Sequence, residues 1–240
     1  MIVVTASDIH GSGLALMKIG GIAREVNADA ILLAGDITVH SILNSFVDCL
    51  VDISNYAKAP IYLTPGNHDY WKPQKHFDFV IDAGHFHSQN KWGGVSCLID
   101  SFAYLESKDK TQKLKIWGTP WSRRYGDWNW MLDTEDALAD KFALIPEDTD
   151  ILICHSPPFG YGDNLREDGR MGSEALTNVI QNRPNLKLVI FGHNHADGGM
   201  KYHIGNTMLR NVACHNDKYD FVAEAITVVG INLTGMRTAP

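Results

Sequence analysis

Five apolar runs in this chain each end in a residue able to bind a metal or move a proton. The run 2–7 stops at Asp8-Ile9-His10-Gly11, and 30–34 stops at Gly35-Asp36. The run 61–63 passes through the turn Thr64-Pro65-Gly66 into Asn67-His68-Asp69. The run 151–154 ends at His155, and 186–191 ends at Gly192-His193-Asn194-His195. A lone histidine or Gly-Asp after one strand is ordinarily a turn residue. The set Asp8, His10, Asp36, Asn67, His68, His155, His193 and His195 is harder to read that way. Its donors are imidazole nitrogens and oxygens with no thiolate, which suits borderline or hard cations such as manganese, iron or zinc. There are enough of them for two divalent metal ions sharing one carboxylate. In Asp8-x-His10 and His193-x-His195, alternate residues of an extended segment are expected to point the same way.

The elements that must position this set follow a strand–helix alternation. Runs 2–7, 30–34 and 61–63 are separated by Leu14, Met17, Ile22, Ala23 and Val26 at roughly helical spacing, and by a second helical stretch over 42–56. This is an α/β pattern with parallel neighbouring strands, whose sites lie at the carboxyl ends. Gly20-Gly21 weakens the first helix in its middle. The pattern over 72–90 is mixed. Stretches 95–105 and 113–117 read as strands with Ser107-Lys108-Asp109-Lys110 as a hairpin tip. An aromatic, Arg-bearing loop spans 118–128. Thr134 and Ser173 are predicted to cap helices running to about 144 and 181. Runs 208–213 and 221–229 read as two more strands. No internal repeat, low-complexity tract or linker divides the chain, which predicts one domain over 1–240.

Composition narrows the function classes. Hydrophobic residues make up 45% of the 240 and charged ones 20%, as in ordinary globular proteins. The net charge of −7 argues against an extended nucleic-acid surface, although bound divalent metals would still allow a small anionic substrate. No apolar run is long enough to span a bilayer, and the start lacks the pattern of a signal peptide. The four cysteines (Cys49, Cys97, Cys154, Cys214) have no paired spacing, and Cys154 lies in an apolar run where burial is expected. A cytoplasmic setting is the default expectation. Nothing in the sequence fixes the oligomeric state.

The ordered series Asp8-x-His10, Gly35-Asp36, Gly66-Asn67-His68-Asp69, His155 and Gly192-His193-x-His195 resembles the calcineurin-like metallophosphoesterase superfamily. Ile116-Trp117-Gly118-Thr119-Pro120-Trp121, the segment 144–152 and His155-Ser156-Pro157-Pro158-Phe159-Gly160 are most similar to small metallophosphodiesterases of the MPPED type. The resemblance implies a four-layer α-β-β-α sandwich of two mixed sheets flanked by helices. It implies that Asp8, His10 and His195 hold one metal, that Asn67, His155 and His193 hold the other, and that Asp36 bridges them. It places His68 beside the substrate phosphate without a metal bond. Where protein Ser/Thr phosphatases and purple acid phosphatases of this superfamily carry Asp or Tyr, this chain has Val39. That removes the usual carboxylate orienting the active-site histidine, and leaves Asp69 or a backbone carbonyl to orient His68.

Two cations about 3.5–4 Å apart lower the pKa of a bridging water enough to supply hydroxide near neutral pH, and they clamp the phosphoryl oxygens. The resulting expectation is a phosphodiesterase of small diesters, with cyclic nucleotides the class favoured by resemblance. Trp121 or Tyr125 could stack on a base, and Arg123 or Arg124 could meet phosphate; alternatively the tryptophans are core and both arginines solvated. Tyr161, Asp163 and Arg170 are further rim candidates. A phosphomonoesterase or nuclease would use the same centre with another rim. A non-catalytic metal-bound scaffold is the reading from a different class.

Overall fold

A computed structural model of the chain describes residues 1–42, 46–70, 94–163, 169–232 and 235–238. Its first half contains β1 (Ile2–Ala6), α1 (Gly13–Glu25), β2 (Ala30–Ala34), β3 (Ser41–Ile42), α2 (Val47–Ala57), β4 (Ile61–Thr64), β5 (Asp69–Tyr70), β6 (Val95–Cys97) and β7 (Ser101–Glu106). Then come β8 (Lys113–Thr119), β9 (Ser122–Arg123), β10 (Met131–Leu132), α3 (Glu135–Phe142), β11 (Ile151–Cys154), α4 (Glu174–Gln181) and β12 (Leu188–Phe191). The chain finishes with β13 (Lys201–Ile204), β14 (Thr207–Asn211), β15 (Thr227–Asn232) and β16 (Gly235–Thr238).

Two six-stranded sheets form, in the orders β16-β15-β1-β2-β4-β6 and β13-β14-β12-β11-β8-β7. Both are mixed. β1, β2, β4 and the edge strand β6 run parallel in the first sheet, as do the inner strands β8, β11, β12 and β14 in the second. Antiparallel strands complete the second sheet at both edges, and the first at the edge away from β6. The continuous apolar runs follow from this layering, because a parallel strand covered on both faces needs apolar residues on both. Successive residues of β2 show it: Ile31 and Leu33 pack with α1 and α2 around Leu16, Ile19 and Leu50, while Leu32 and Ala34 face the second sheet through Ile116, Ile153 and Ile190. On the far side Leu152, Val189 and Phe191 meet Leu138 and Phe142 of α3 and Leu176 and Ile180 of α4. Three apolar layers thus separate helix, sheet, sheet and helix, the four-layer arrangement that the resemblance implied.

The helix starts follow capping chemistry. Thr134 and Ser173 accept from the backbone N–H three residues on, at 3.1 and 3.2 Å, which satisfies a donor that the helix itself cannot. Gly20 does more than weaken α1. A side chain there would come within 3.1 Å of Ile53, so the glycine lets α1 lie close against α2.

The run 95–105, expected as one strand, is two. β6 pairs with β4 in the first sheet, and β7 pairs with β8 in the second. Asp100 between them takes a φ of 45°, turning the chain from one sheet to the other; apolar residues on either side of a crossing read the same as a single strand. The run 221–229 also differs: a 3-10 turn at Ala223–Ala225 precedes β15. Its apolar residues pack against the first core layer as a loop, Ala225 and Ile226 buried and Phe221 and Val222 half-buried. The mixed pattern over 72–90 lies outside the described residues. Cys97, Cys154 and Cys214 are buried as free thiols and Cys49 is exposed. Among the described residues no helix is long and apolar enough to cross a membrane.

Candidate metal centre

The five strand ends converge where the carboxyl ends of β1, β2 and β4 face those of β11 and β12. The convergence does not come from extended backbone, as the alternate spacing suggested. Asp8, His10, Asp36 and His193 have φ values of 54°, 48°, 51° and 68°, and His195 opens a 3-10 turn. Non-glycine residues in this left-handed region are strained, and they persist where surrounding bonds fix them. Here the strand ends fix one another: Asp8 N donates to Gly35 O and His10 N to Asp36 O, both at 2.9 Å. After β1, β2 and β12 the chain therefore turns sharply within a few residues of the strand end and directs side chains into the shared space.

Two groups of donors form around Asp36. In the first, His195 Nε2 lies 3.2 Å from Asp8 Oδ1 and 3.1 Å from His10 Nε2. In the second, Asn67 Oδ1 meets His155 Nε2 at 2.9 Å and His193 Nδ1 at 2.8 Å. His155 Nε2 is also 3.4 Å from Asp36 Oδ1. Two of the rings are anchored outward through their other nitrogen, His155 Nδ1 on Ala34 O at 2.8 Å and His195 Nδ1 on Asn216 O at 3.1 Å. A ring whose Nδ1–H donates to a carbonyl offers a lone pair at Nε2, the pattern seen behind metal-bound imidazoles.

This donor set fits cations. Around Asn67 Oδ1 an amide oxygen, a carboxylate and two inward imidazole nitrogens face each other, so positive charge must lie among them. In the metal-free protein a proton supplies it: burial opposes charge on His155, but Asp36 and then Asp8 outweigh it and hold the ring's pKa at about 9. His10 and His193 go the other way. Burial brings each down to about 4, with His155 adding to the effect at His193, so both are neutral at pH 7, the form with a lone pair to give. Asp8 stays below the usual carboxylate range; its burial is opposed by the histidines, His195 first. Asp8, His10 and His195 bring one donor atom each within 4.8 Å of one another, as do Asp8, Asp36 and His155. His10, Asp36 and His68 meet the same condition, so geometry by itself also admits His68 as a donor.

The glycines before these residues are there for room. A side chain on Gly192 would lie 2.0 Å from Asp8 Oδ2, and one on Gly66 would lie 2.2 Å from Asp36 Oδ1.

Asp69 does not orient His68. Its carboxylate accepts from Ile37 N, Thr38 N, Thr38 Oγ1 and Gly66 N at 2.8–3.1 Å, which ties the turn after β2 to the turn after β4. Among the described residues Nδ1 of His68 has no hydrogen-bond partner although it is buried.

Above the donors is a cavity of about 380 Å³, lined on the donor side by Asp36, Asn67, His68, His193 and His195. Its wall includes His40, Tyr125, Trp128, Met171 and Tyr219. The aromatic loop thus faces the cavity through Tyr125 and Trp128. Trp121 is turned away: its indole N–H donates to Asp100 Oδ2 at 2.7 Å, and Lys141 lies over its ring. Arg124 is paired with Asp133, and Arg123 is exposed on β9; neither lines the cavity. Arg170 bonds Asp163 at 2.8 Å and Tyr161 packs near Tyr202, so these rim candidates are also engaged elsewhere. His40, Trp128 and Tyr219 escaped the sequence reading. Trp128 stood at the end of the aromatic loop, and His40 beside Val39, but neither follows a strand directly.

A family model for calcineurin-like phosphoesterases matches residues 1–197. The chain belongs to that family. Human metallophosphoesterase domain-containing protein 1 is 32% identical over 184 residues, covering 72% of this chain and 56% of that protein. A Caenorhabditis elegans relative, 34% identical, is matched over 58% of this chain and 36% of its own length. The chain therefore spans little more than half, or less, of these curated relatives. Among solved structures, TT1561 of Thermus thermophilus superposes with a TM-score of 0.61 at 16% identity, over 99% of this chain and 97% of that one. A dimetal phosphatase from Danio rerio gives 0.56 at 11% identity, over 97% and 93%. At such identities these likenesses speak for the metallophosphoesterase fold alone.

Proposed function

We propose that this metallophosphoesterase is a metal-dependent phosphodiesterase acting on small phosphate diesters, with cyclic nucleotides the favoured class. In this reading Asp8, His10 and His195 hold one divalent ion, Asn67, His155 and His193 hold a second, and Asp36 is shared. When bound, the pair supplies charge for the phosphoryl oxygens and an activated water for in-line displacement; manganese is the proposed pair, with iron or zinc as alternatives. His68 donates a hydrogen bond to the phosphoryl or leaving oxygen as charge develops there. Its Nε2 lies 3.9 Å from Asp36 Oδ2, at the cavity wall. Its buried Nδ1 has no acceptor among the described residues, and an unpaired buried N–H costs more than an unpaired lone pair. The neutral ring therefore keeps its proton on Nε2, facing the place where a leaving oxygen departs.

The observation that carries the diester reading is the cavity wall. Its described lining holds Asp36 and Asp217 and neither lysine nor arginine, while Tyr125, Trp128 and Tyr219 supply aromatic surface. A monoester dianion gains from extra cationic partners, and a diester monoanion needs room and an apolar wall. The test is steady-state kinetics after metal removal and manganese restoration. We expect a higher kcat/KM for bis-p-nitrophenyl phosphate than for p-nitrophenyl phosphate. A monoester preference at matched pH and metal loading would overturn the substrate class and leave the centre standing. Metal content with no turnover on any phosphate ester would favour a scaffold.

A further inference from the structure

His68 stands where a hydrogen-bond donor must be held still, yet no carboxylate and no carbonyl among the described residues bonds its Nδ1. Val39, at the position where an orienting acid could stand, is an exposed hydrocarbon. What the ring touches instead is other rings. The indole of Trp128 lies 4.5 Å from it, centroid to centroid, and tilted by 38°. His40 lies 5.0 Å from it and stacks on the same indole at 4.8 Å and 23°. On the other side His10 meets it edge-on at 5.0 Å and 90°.

The segment carrying Trp128 is registered to the segment carrying His68. Asn129 N donates to Asn67 O at 3.3 Å, Asn129 Nδ2 to Asp69 O at 3.4 Å, and Trp130 Nε1 to Asp69 O at 3.1 Å. The backbone on both sides of His68 is thus bonded to the two residues that follow Trp128. Gly126, at a φ of 72°, keeps the indole edge clear; a side chain there would come within 3.1 Å of Trp128 Nε1.

We infer that Trp128, backed by His40, is the positioning residue of His68: an aromatic clamp fixes the imidazole in this chain in place of a hydrogen-bonded carboxylate. The inference rests on the proposed role of His68 as hydrogen-bond donor to the substrate. An aromatic contact restricts ring tilt and translation without committing Nδ1 to a proton, so Nε2 keeps the proton that faces the cavity. Displacing a reacting group by about 1 Å costs about 10²-fold in rate.

The experiment uses the full chain. With manganese restored, Trp128→Leu is expected to lower kcat on bis-p-nitrophenyl phosphate by about 10²-fold, with metal content unchanged and any rise in KM, expected because the indole also lines the cavity, small beside the loss in kcat; Trp128→Phe is expected to recover most of the loss. In a His68→Ala background, Trp128→Leu should have no further effect on kcat, because the group it positions is gone. Equal losses in both backgrounds, or a loss confined to KM, overturn the inference and put the indole on the substrate. A second arm needs no turnover. In the metal-free protein the His68 ring-proton resonances, assigned by their disappearance in His68→Ala, should shift with the loss of ring current and also broaden by exchange when Trp128 becomes Leu, because the ring is no longer held; resonances that shift but stay as sharp as in the unsubstituted chain refute the clamp. If the unsubstituted chain hydrolyses no phosphate ester, the proposed function fails, and the resonance arm still decides whether Trp128 holds His68.

Discussion

Gly66 lies between Asp36 and His155, and the space left for a side chain there sets a quantitative prediction. A Cβ at this position would sit 2.2 Å from Asp36 Oδ1, 2.4 Å from Asp36 N and 2.7 Å from His155 Cε1. Ordinary contact begins at 3.4 Å, so Gly66→Ala falls short by 1.2 Å against the carboxylate and by 1.0 Å against the backbone. Rotation of the Asp36 side chain relieves the first shortfall; only movement of the turn after β2 relieves the second. Overpacking of this kind costs about 1–3 kcal/mol, and we expect the upper end because backbone must move. Displacing the Asp36 carboxylate by about 1 Å should slow turnover of bis-p-nitrophenyl phosphate by about 10²-fold. Urea unfolding of the metal-free protein reads the first quantity, and steady-state rates with saturating manganese read the second. Gly21→Ala serves as the control. Nothing lies within 4 Å of a Cβ there, inside α1, so it should stabilise the protein by about 0.5–1 kcal/mol. If Gly66→Ala instead stays within about 0.5 kcal/mol and keeps its rate, Gly66 does not approach Asp36 as closely as described.

Three further outcomes are expected. His68→Ala should retain its metal and lose about 10²–10⁴-fold in turnover, the range for a positioned acid–base group, whereas His193→Ala should lose metal; the reverse pattern on metal analysis would exchange their roles. Trp121→Ala should cost about 2 kcal/mol in urea unfolding through lost packing and its bond to Asp100, with kcat/KM unchanged. An altered kcat/KM at unchanged stability would return Trp121 to the substrate. Manganese at a hundredfold its Kd should raise the unfolding free energy by about 2.7 kcal/mol per site, reversed by a chelator; a chelator-insensitive Tm would argue against a metal centre.

Much of the fold was legible because burial on both faces leaves a simple trace. Ile31-Leu32-Leu33 and Ile151-Leu152-Ile153 are continuous apolar runs, and such a run ending at Gly-Asp or at His marks both a strand and the place where it stops. The hydroxyls of Thr134 and Ser173 marked helix starts for the equally local reason that a cap acts within three residues. The breaks at 98–100 and 223–225 were hidden, since apolar residues give no sign of which sheet, or which loop, buries them.

The candidate centre divides along the same line. Residue type and order along the chain determined which groups could meet: Asp8, His10, Asp36, Asn67, His155, His193 and His195 each follow a strand end, and parallel strands carry their ends to one edge. How they meet was decided by tertiary structure. The left-handed turns at Asp8, His10, Asp36 and His193 exist because bonds between strand ends far apart in the sequence hold them, and no local pattern records such bonds. The same holds for what surrounds His68. Trp121 and Trp128 are both tryptophans of one loop, and only the docking of Asn129 and Trp130 onto the backbone at Asn67 and Asp69 turns Trp128 toward the cavity, while the bond to Asp100 turns Trp121 away. Asp69, adjacent to His68 in sequence, is directed instead at Ile37, Thr38 and Gly66, because four donors in the neighbouring turns outcompete one imidazole nitrogen.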